Sequence, residues 1–381
     1  MKIVYCINSI RVLGGIERVT MVKANALAEV PGNEVYIAVL TDKKGCYTEV
    51  PSPKVKVVDL DAEFFPNGSP RSRIAYVWQS LKYAKAYQRK LSAFLHELNP
   101  DVVVSVGHAE FYLLPKISGP WKLVRELHMT ANYRITLSKG ESAFRHLTAW
   151  YGTIKDKLYY PKYHKVVTLT EWDKTENWSK ARHVVVMPNP VSFRSASTSD
   201  LSHKRIISIG RLTETKCYDM LIRSFAMVHR RHPDWTLLIV GEGEQRASLQ
   251  HLIDELQLSR CVHLPGRSSN VEKALLESSI FALSSKIEGF GLVILEAMEC
   301  GLPVVACDCR HGPREIITDG HNGYLVPVGD AKTFAERLCT LIENQPLRRQ
   351  MGKHAKETVQ HYYPEALTQR WMNLFNELLI Q

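Results

Sequence analysis

The sequence predicts an α/β protein of two Rossmann-like domains, each a parallel sheet covered by helices, facing each other across a cleft. Three observations predict it. Short β-branched runs alternate with longer amphipathic stretches from residue 2 onward, the pattern of strand and crossover helix. The alternation breaks once, over residues 187–203, and then restarts, so there are two series. At 381 residues, 45% hydrophobic and 23% charged, the chain has the length of two domains and the composition to fill a core in each.

In the first series strands are expected at 2–8, 34–40, 55–60, 101–106, 122–126 and 165–170, with a helix at about 15–28. A long helix is expected over 71–98, because Ile74, Val77, Leu81, Ala84, Leu91, Leu95 and Leu98 recur at helical spacing and mark one apolar face. The break holds PNPV and the Ser/Thr-rich stretch SFRSASTSDLSH. Residues 191–203 therefore read as a polar linker between a domain at 1–190 and another at 204–360. In the second series strands are expected at 205–209, 235–240, 261–264, 280–283, 303–306 and 323–326. Ligands of such sheets sit at the carboxyl ends of the strands.

Charge and cysteine usage narrow the function classes. Residues 1–190 carry 27 Lys and Arg against 17 Asp and Glu, and the remainder carries 22 of each, so the whole excess of +10 lies in the first half. That excess suits an anionic partner, nucleic acid or an anionic membrane surface, or simply a solubilising surface. Within the helix over 71–98, Arg73, Lys82, Lys85 and Arg89 stand beside Tyr76, Tyr83 and Tyr87, a mixture suited to lipid headgroups. No nucleic-acid motif accompanies the charge, and nucleic acid is not an expected partner. No run approaches the roughly 18 apolar residues of a membrane span, and the first eight residues are too short and too soon polar for a secretory signal. The expected location is the cytoplasm, at the inner membrane face if the partner is a lipid. The eight cysteines, Cys46 and Cys217 among them, show neither a CxxC pair nor a zinc spacing and are expected as reduced thiols.

Chemistry is legible at the strand ends of the second series. In ISIGRLTETKCYDML a strand ends at Gly210, and Arg211 and Lys216 follow in the loop, two fixed cations within reach of one diphosphate. In KIEGFGLVILEAMECGLPVVA a strand ends before Glu288 and a helix begins near Gly291. The amides of Gly289, Phe290, Gly291 and Leu292 would point from that helix N-terminus at a phosphate. Glu296 lies eight positions beyond Glu288, a little over two helical turns, so both carboxylates can face one groove.

These segments resemble the retaining GT-B glycosyltransferases of the family 4 type. The resemblance covers nearly the whole chain: GGIE at 14–17, PNPV, GRLTETK, VGEGEQR, the E-x7-E element from Glu288 to Glu296, and CGLPVVA. It implies an acceptor-binding first domain and a nucleotide-sugar-binding second domain. It also implies roles: Arg211 and Lys216 on the diphosphate, Glu288 on donor-sugar hydroxyls, Glu296 on the ribose. Gly14 and Gly15 would lie over the phosphates, and His128, in LVRELHMT, would match the histidine this family sets beside the donor sugar. The ending at 361–381 looks like the family's terminal helix, which packs back on the first domain. Where the family often has KG, here Lys216 precedes Cys217. CDCRHGPREII resembles enzymes that use UDP-N-acetylhexosamines or UDP-hexoses in surface-polysaccharide assembly, and Arg267 is a candidate for the base pocket.

The resemblance favours same-face substitution over double displacement, the leaving phosphate helping to deprotonate a glycan or polyprenyl-diphosphate-linked acceptor. Arg211, Lys216 and the helix amides would replace a metal's charge, so neither metal nor cofactor is expected beside the nucleotide sugar. Three rival readings remain: a metal site at Asp59 and Asp61, a UDP-sugar epimerase of the same fold, and a non-enzymatic nucleic-acid-binding protein.

Overall fold

The computed structural model of the chain describes all residues except 12–13, 43–49, 63–72, 139–141, 269, 310 and 381, and the side chains of 73–77. The chain divides into two units, Met1–Pro190 with Pro364–Gln381, and Val191–Tyr363. Each is a parallel sheet with helices, as the alternation predicts.

The first sheet contains β1 (Lys2–Ile7), β2 (Glu34–Val39), β3 (Val55–Asp59), β4 (Val102–Ser105), β5 (Lys122–Glu126), β6 (Lys165–Thr168) and β7 (Val184–Val186), in the order β3-β2-β1-β4-β5-β6-β7. The three-residue β7 escapes the sequence pattern because it is too short to show a period. Side chains of β1 alternate between two cores. Ile3, Tyr5 and Ile7 join the cluster with Met21 and Leu27, while Val4 and Cys6 join the one with Tyr87 and Leu91. The second sheet contains β8 (Arg205–Ile209), β9 (Thr236–Val240), β10 (Val262–Gly266), β11 (Ile280–Leu283), β12 (Val304–Cys307) and β13 (Gly323–Val326), ordered β10-β9-β8-β11-β12-β13. In each sheet the strand order reverses once, beside β1 and β4 in the first and beside β8 and β11 in the second. Those reversals leave a crevice at the strand carboxyl ends where a ligand can enter.

Several expectations need correction. The segment 191–203 is packed into the second unit and does not behave as a solvated linker. Val191, Ser192 and Leu201 are buried, the Ser192 hydroxyl donates to Glu296 (2.6 Å) and the Ser195 amide to Glu299 (2.9 Å). Two of its serine hydroxyls are spent inside the unit, that of Ser192 on the Glu296 carboxylate and that of Ser199 on the Ser278 carbonyl, which composition cannot separate from hydration. The terminal helix spans Pro364–Ile380, and Trp371, Leu374, Phe375 and Leu378 pack in the first unit's core with Met21, Ala24 and Leu27.

The long helix runs Arg73–Leu98, with Leu91 and Leu95 buried, but Leu81, expected inside, is exposed, and Tyr87, expected among headgroup-facing residues, is fully buried. Cys46 and Arg71, and the side chains of Arg73, Ile74, Tyr76 and Val77, lie outside the described residues. The seven described cysteines are unbridged. Asp59 spends its carboxylate on backbone, accepting from the amides of Asp42 (3.1 Å) and Asp61 (2.7 Å), while the Asp61 carboxylate faces Lys90 at 3.8 Å. No described helix is long and apolar enough to cross a membrane.

Candidate active site

In the second unit the loops after β8 and β11 meet at the sheet's reversal point. Lys216 ends a short turn of 3-10 helix at Glu214–Lys216, and its Nζ donates to Glu288 Oε1 at 2.5 Å. Ser285, two residues beyond β11, donates to the same oxygen at 2.7 Å. Both bonds fall on Oε1, which leaves Oε2 without a partner among the described residues. Lys216 and Glu288 are thus a mostly buried pair with side chains 21% and 11% exposed. Arg211 is exposed, and its side chain has no partner among the described residues.

Cys217 adopts φ 49° and ψ 45°, the left-handed conformation that favours glycine. The position where the resembling family often has glycine is thus held in the left-handed conformation here by a cysteine.

Helix Leu292–Glu299 starts from Gly291, whose φ of 91° is left-handed. The amides of Gly289, Phe290, Gly291 and Leu292 make no backbone hydrogen bond among the described residues, as an anion-binding helix start requires. Gly312 crosses close to this loop: a Cβ there would lie 2.9 Å from Phe290 O and 2.9 Å from Glu288 Cβ. Glu296 is buried and accepts from Ser192. Arg267 follows β10 and is exposed.

Sequence reasoning missed Ser192 and Ser285, since single serines carry no spacing signal. It also missed that Lys216 and Glu288, 72 residues apart, are direct partners.

In the first unit a cavity of about 260 Å³ opens at the carboxyl ends of β1, β4 and β5, lined by Asn8, Glu17, Arg125, His128, Arg134 and Asp156 among others. Gly14 caps helix Gly15–Ala28, whose Lys23 forms a buried ion pair with Glu126 at the end of β5. His128 Nε2 lies 3.5 Å from Glu126 Oε2 and has no hydrogen-bond partner among the described residues. Across the cavity Arg134 Nε faces Asp156 at 3.3 Å, and Arg125 approaches the buried Glu110 at 3.8 Å.

Burial, reinforced by the charges of Lys23 and Arg125, holds the His128 imidazole well below its ordinary range, so it is neutral near pH 7. The unfolded chain's imidazole takes up its proton as pH falls through about 6.5, before the folded one does, so stability falls as pH drops below that point. His128→Asn is expected to flatten the decline of Tm between about pH 7 and pH 5. Identical declines in the two proteins would remove His128 as a contributor.

Residues 192–358 match the family described as Glycosyl transferases group 1. An uncharacterized glycosyltransferase of Haemophilus influenzae is 28% identical over 378 residues, 98% of this chain and 99% of that protein. The N-acetylgalactosamine-N,N'-diacetylbacillosaminyl-diphospho-undecaprenol 4-alpha-N-acetylgalactosaminyltransferase of Campylobacter jejuni is 36% identical over 156 residues, 41% of this chain and 42% of that protein. Among solved structures, Anabaena HepE in complex with UDP and glucose superposes with a TM-score of 0.75 at 20% identity, over 99% of each chain. The order of both sheets, the fold likeness over the whole chain and the match of the second unit agree: the chain is a glycosyltransferase with the GT-B fold, and its residues 192–358 match group 1 of the glycosyl transferases.

Proposed function

We propose that the protein is a retaining, metal-independent transferase that moves a hexose or N-acetylhexosamine from UDP to a lipid-linked or glycan acceptor in surface-polysaccharide synthesis, working at an anionic membrane surface. The observation that carries the donor half is the Lys216–Glu288 pair beside open helix amides at the sheet's reversal point. UDP as the carrier is supported by the UDP in the HepE complex, and a polyprenyl-diphosphate acceptor by the name of the Campylobacter relative.

The chemistry follows from what a departing diphosphate needs. As the bond from the anomeric carbon to the phosphate oxygen breaks, negative charge grows on that oxygen. Lys216, Arg211 and the amides at 289–292 are fixed charges and dipoles aimed at it. Glu288, already oriented by Lys216 and Ser285, has Oε2 to accept from sugar hydroxyls, and Glu296, held by Ser192, takes the ribose. The acceptor oxygen bonds to the anomeric carbon on the face the phosphate leaves, and its proton passes to the phosphate oxygen. That route retains configuration without a protein nucleophile. In the first unit the neutral His128 can donate to a sugar oxygen without adding charge, and Gly14 and Gly15 let backbone approach the ligand.

The test is a thermal-shift series. UDP and UDP-sugars should raise Tm above the effect of GDP-sugars or NAD, since a ligand that binds only the folded state stabilises it by mass action. Glu296→Ala and Ser192→Ala should weaken UDP about tenfold or more, as expected for losing a hydrogen bond to a charged group. Transfer should survive EDTA. Stabilisation by NAD alone, or activity abolished by EDTA and restored by Mn²⁺, would overturn the reading.

A further inference from the structure

Helix Ala143–Tyr159 is attached to the first unit by the wrong side for a globular protein. Its inner face is Ala149, Gly152, Thr153 and Asp156. Asp156 anchors it, accepting from the Tyr112 hydroxyl and pairing with Arg134 at 3.3 Å. Its outer face carries Phe144, Leu147, Trp150, Tyr151 and Leu158, which are between 53% and 71% exposed. At about 100° per residue these five occupy an arc of roughly 120° directly opposite the anchored face. A surface helix of a soluble protein ordinarily buries its apolar arc and hydrates the rest. This one does the reverse, and an exposed apolar arc of that size marks an interaction surface.

The charges around the arc identify its occupant. The exposed charged residues of the helix are Arg145, Lys155 and Lys157, all cationic, while its one acid, Asp156, is buried in the pairing above. Lys155 and Lys157 fall on the two flanks of the apolar arc. Residues 1–190 hold the protein's entire positive excess. Phe, Trp, Tyr and Leu between basic flanks is the composition of a helix lying in a lipid interface, with rings at headgroup depth and ammonium groups on lipid phosphates.

We infer that helix Ala143–Tyr159 is a membrane-docking surface that inserts its Phe144, Leu147, Trp150, Tyr151 and Leu158 face into an anionic bilayer. The inference deepens the proposed function and rests on it for the lipid-linked acceptor alone. The inner face carries Asp156 into the same cavity that His128, Arg125 and Arg134 line, so a headgroup-borne diphosphate at the bilayer surface would meet those arginines. The Arg73–Leu98 helix supplies basic residues and the exposed Trp78 and Leu81, while the five-residue apolar arc lies on this other helix.

Flotation of the full chain with phosphatidylcholine vesicles, with and without phosphatidylglycerol, at low and high salt, tests the inference. Wild type should float with anionic vesicles, and less so at high salt through screening. Leu147→Ser/Trp150→Ser/Leu158→Ser should lower the bound fraction at least about tenfold, because the apolar insertion is lost. Lys155→Glu/Lys157→Glu should also lower it and remove the preference for anionic lipid. All five positions changed in these variants are exposed, and an unchanged Tm with an unchanged UDP-induced rise shows that the fold persists. Flotation of the triple variant equal to wild type, or absence of wild type from anionic vesicles at low salt, overturns the inference. So does light scattering that finds a wild-type dimer dissolved by the triple substitution with no vesicle binding, since the occupant is then a second copy. Failure of UDP to stabilise wild type strikes the donor reading and leaves the vesicle result standing.

Discussion

Lys216→Ala is expected to lower kcat about a hundredfold with a much smaller change in KM for the nucleotide sugar. One fixed donor to a developing oxyanion contributes on that scale, and the charge it meets is largest in the transition state. The effect has a second source. Lys216 also holds Glu288 through the 2.5 Å contact, so alanine releases the carboxylate to a single bond from Ser285. The Lys216→Ala/Glu288→Gln double variant should therefore cost less than the Lys216→Ala and Glu288→Gln losses combined. Arg211→Ala, with no partner among the described residues to release, should act on the leaving group alone and lower kcat at least about tenfold. A folded Lys216→Ala enzyme with turnover within a few-fold of wild type would remove the lysine from the reaction.

Lys23→Met is expected to destabilise the protein by about 3–5 kcal/mol, the scale for stranding one member of a buried ion pair. Lys23 and Glu126 are 4% and 2% exposed, and the ammonium also lies 5.2 Å from the centre of the Trp371 ring. Methionine matches the lysine stem in length, so the loss comes from an uncompensated Glu126 carboxylate and not from a cavity. Lys23→Met/Glu126→Leu should recover most of the stability, because removing both charges removes the desolvation cost as well. Denaturant unfolding of the three proteins decides it. A double variant no more stable than the single would mean that the pair's other contacts, Trp371 and His128 included, carry the effect.

The periodic features of this chain are the ones its sequence displays. Runs of Val and Ile gave the larger strands to within a residue or two, because a fully buried parallel strand tolerates little else. Gly291 and the E-x7-E spacing located the loop between β11 and helix Leu292–Glu299, since the left-handed start of that helix restricts residue choice. What stayed hidden depends on contacts between distant segments. Nothing near Ser192 in the chain announces Glu296, and nothing near Lys23 announces Glu126. The long helix at Arg73–Leu98 shows the opposite error. Its spacing placed Leu81 inside, yet Leu81 is exposed while Tyr87, Leu91 and Leu95 are buried, so the core takes up the later turns of the helix. The helix at Ala143–Tyr159 went unread for a related reason. Its apolar period is real, but a period does not say which side faces the protein.

The return of helix Pro364–Ile380 to the first unit has a consequence for biosynthesis. The second unit is one uninterrupted stretch, Val191–Tyr363, and can close as soon as its last strand and helices have left the ribosome. The first unit is begun earliest yet finished latest, because Trp371 and Phe375 seal a core whose other residues were synthesised hundreds of codons before. Until those two rings arrive, the Lys23 ammonium lacks the Trp371 ring and the core around Met21 and Leu27 stays unsealed. The nascent chain thus spends most of its translation carrying an unsealed first half, the interval in which a chaperone would be needed most.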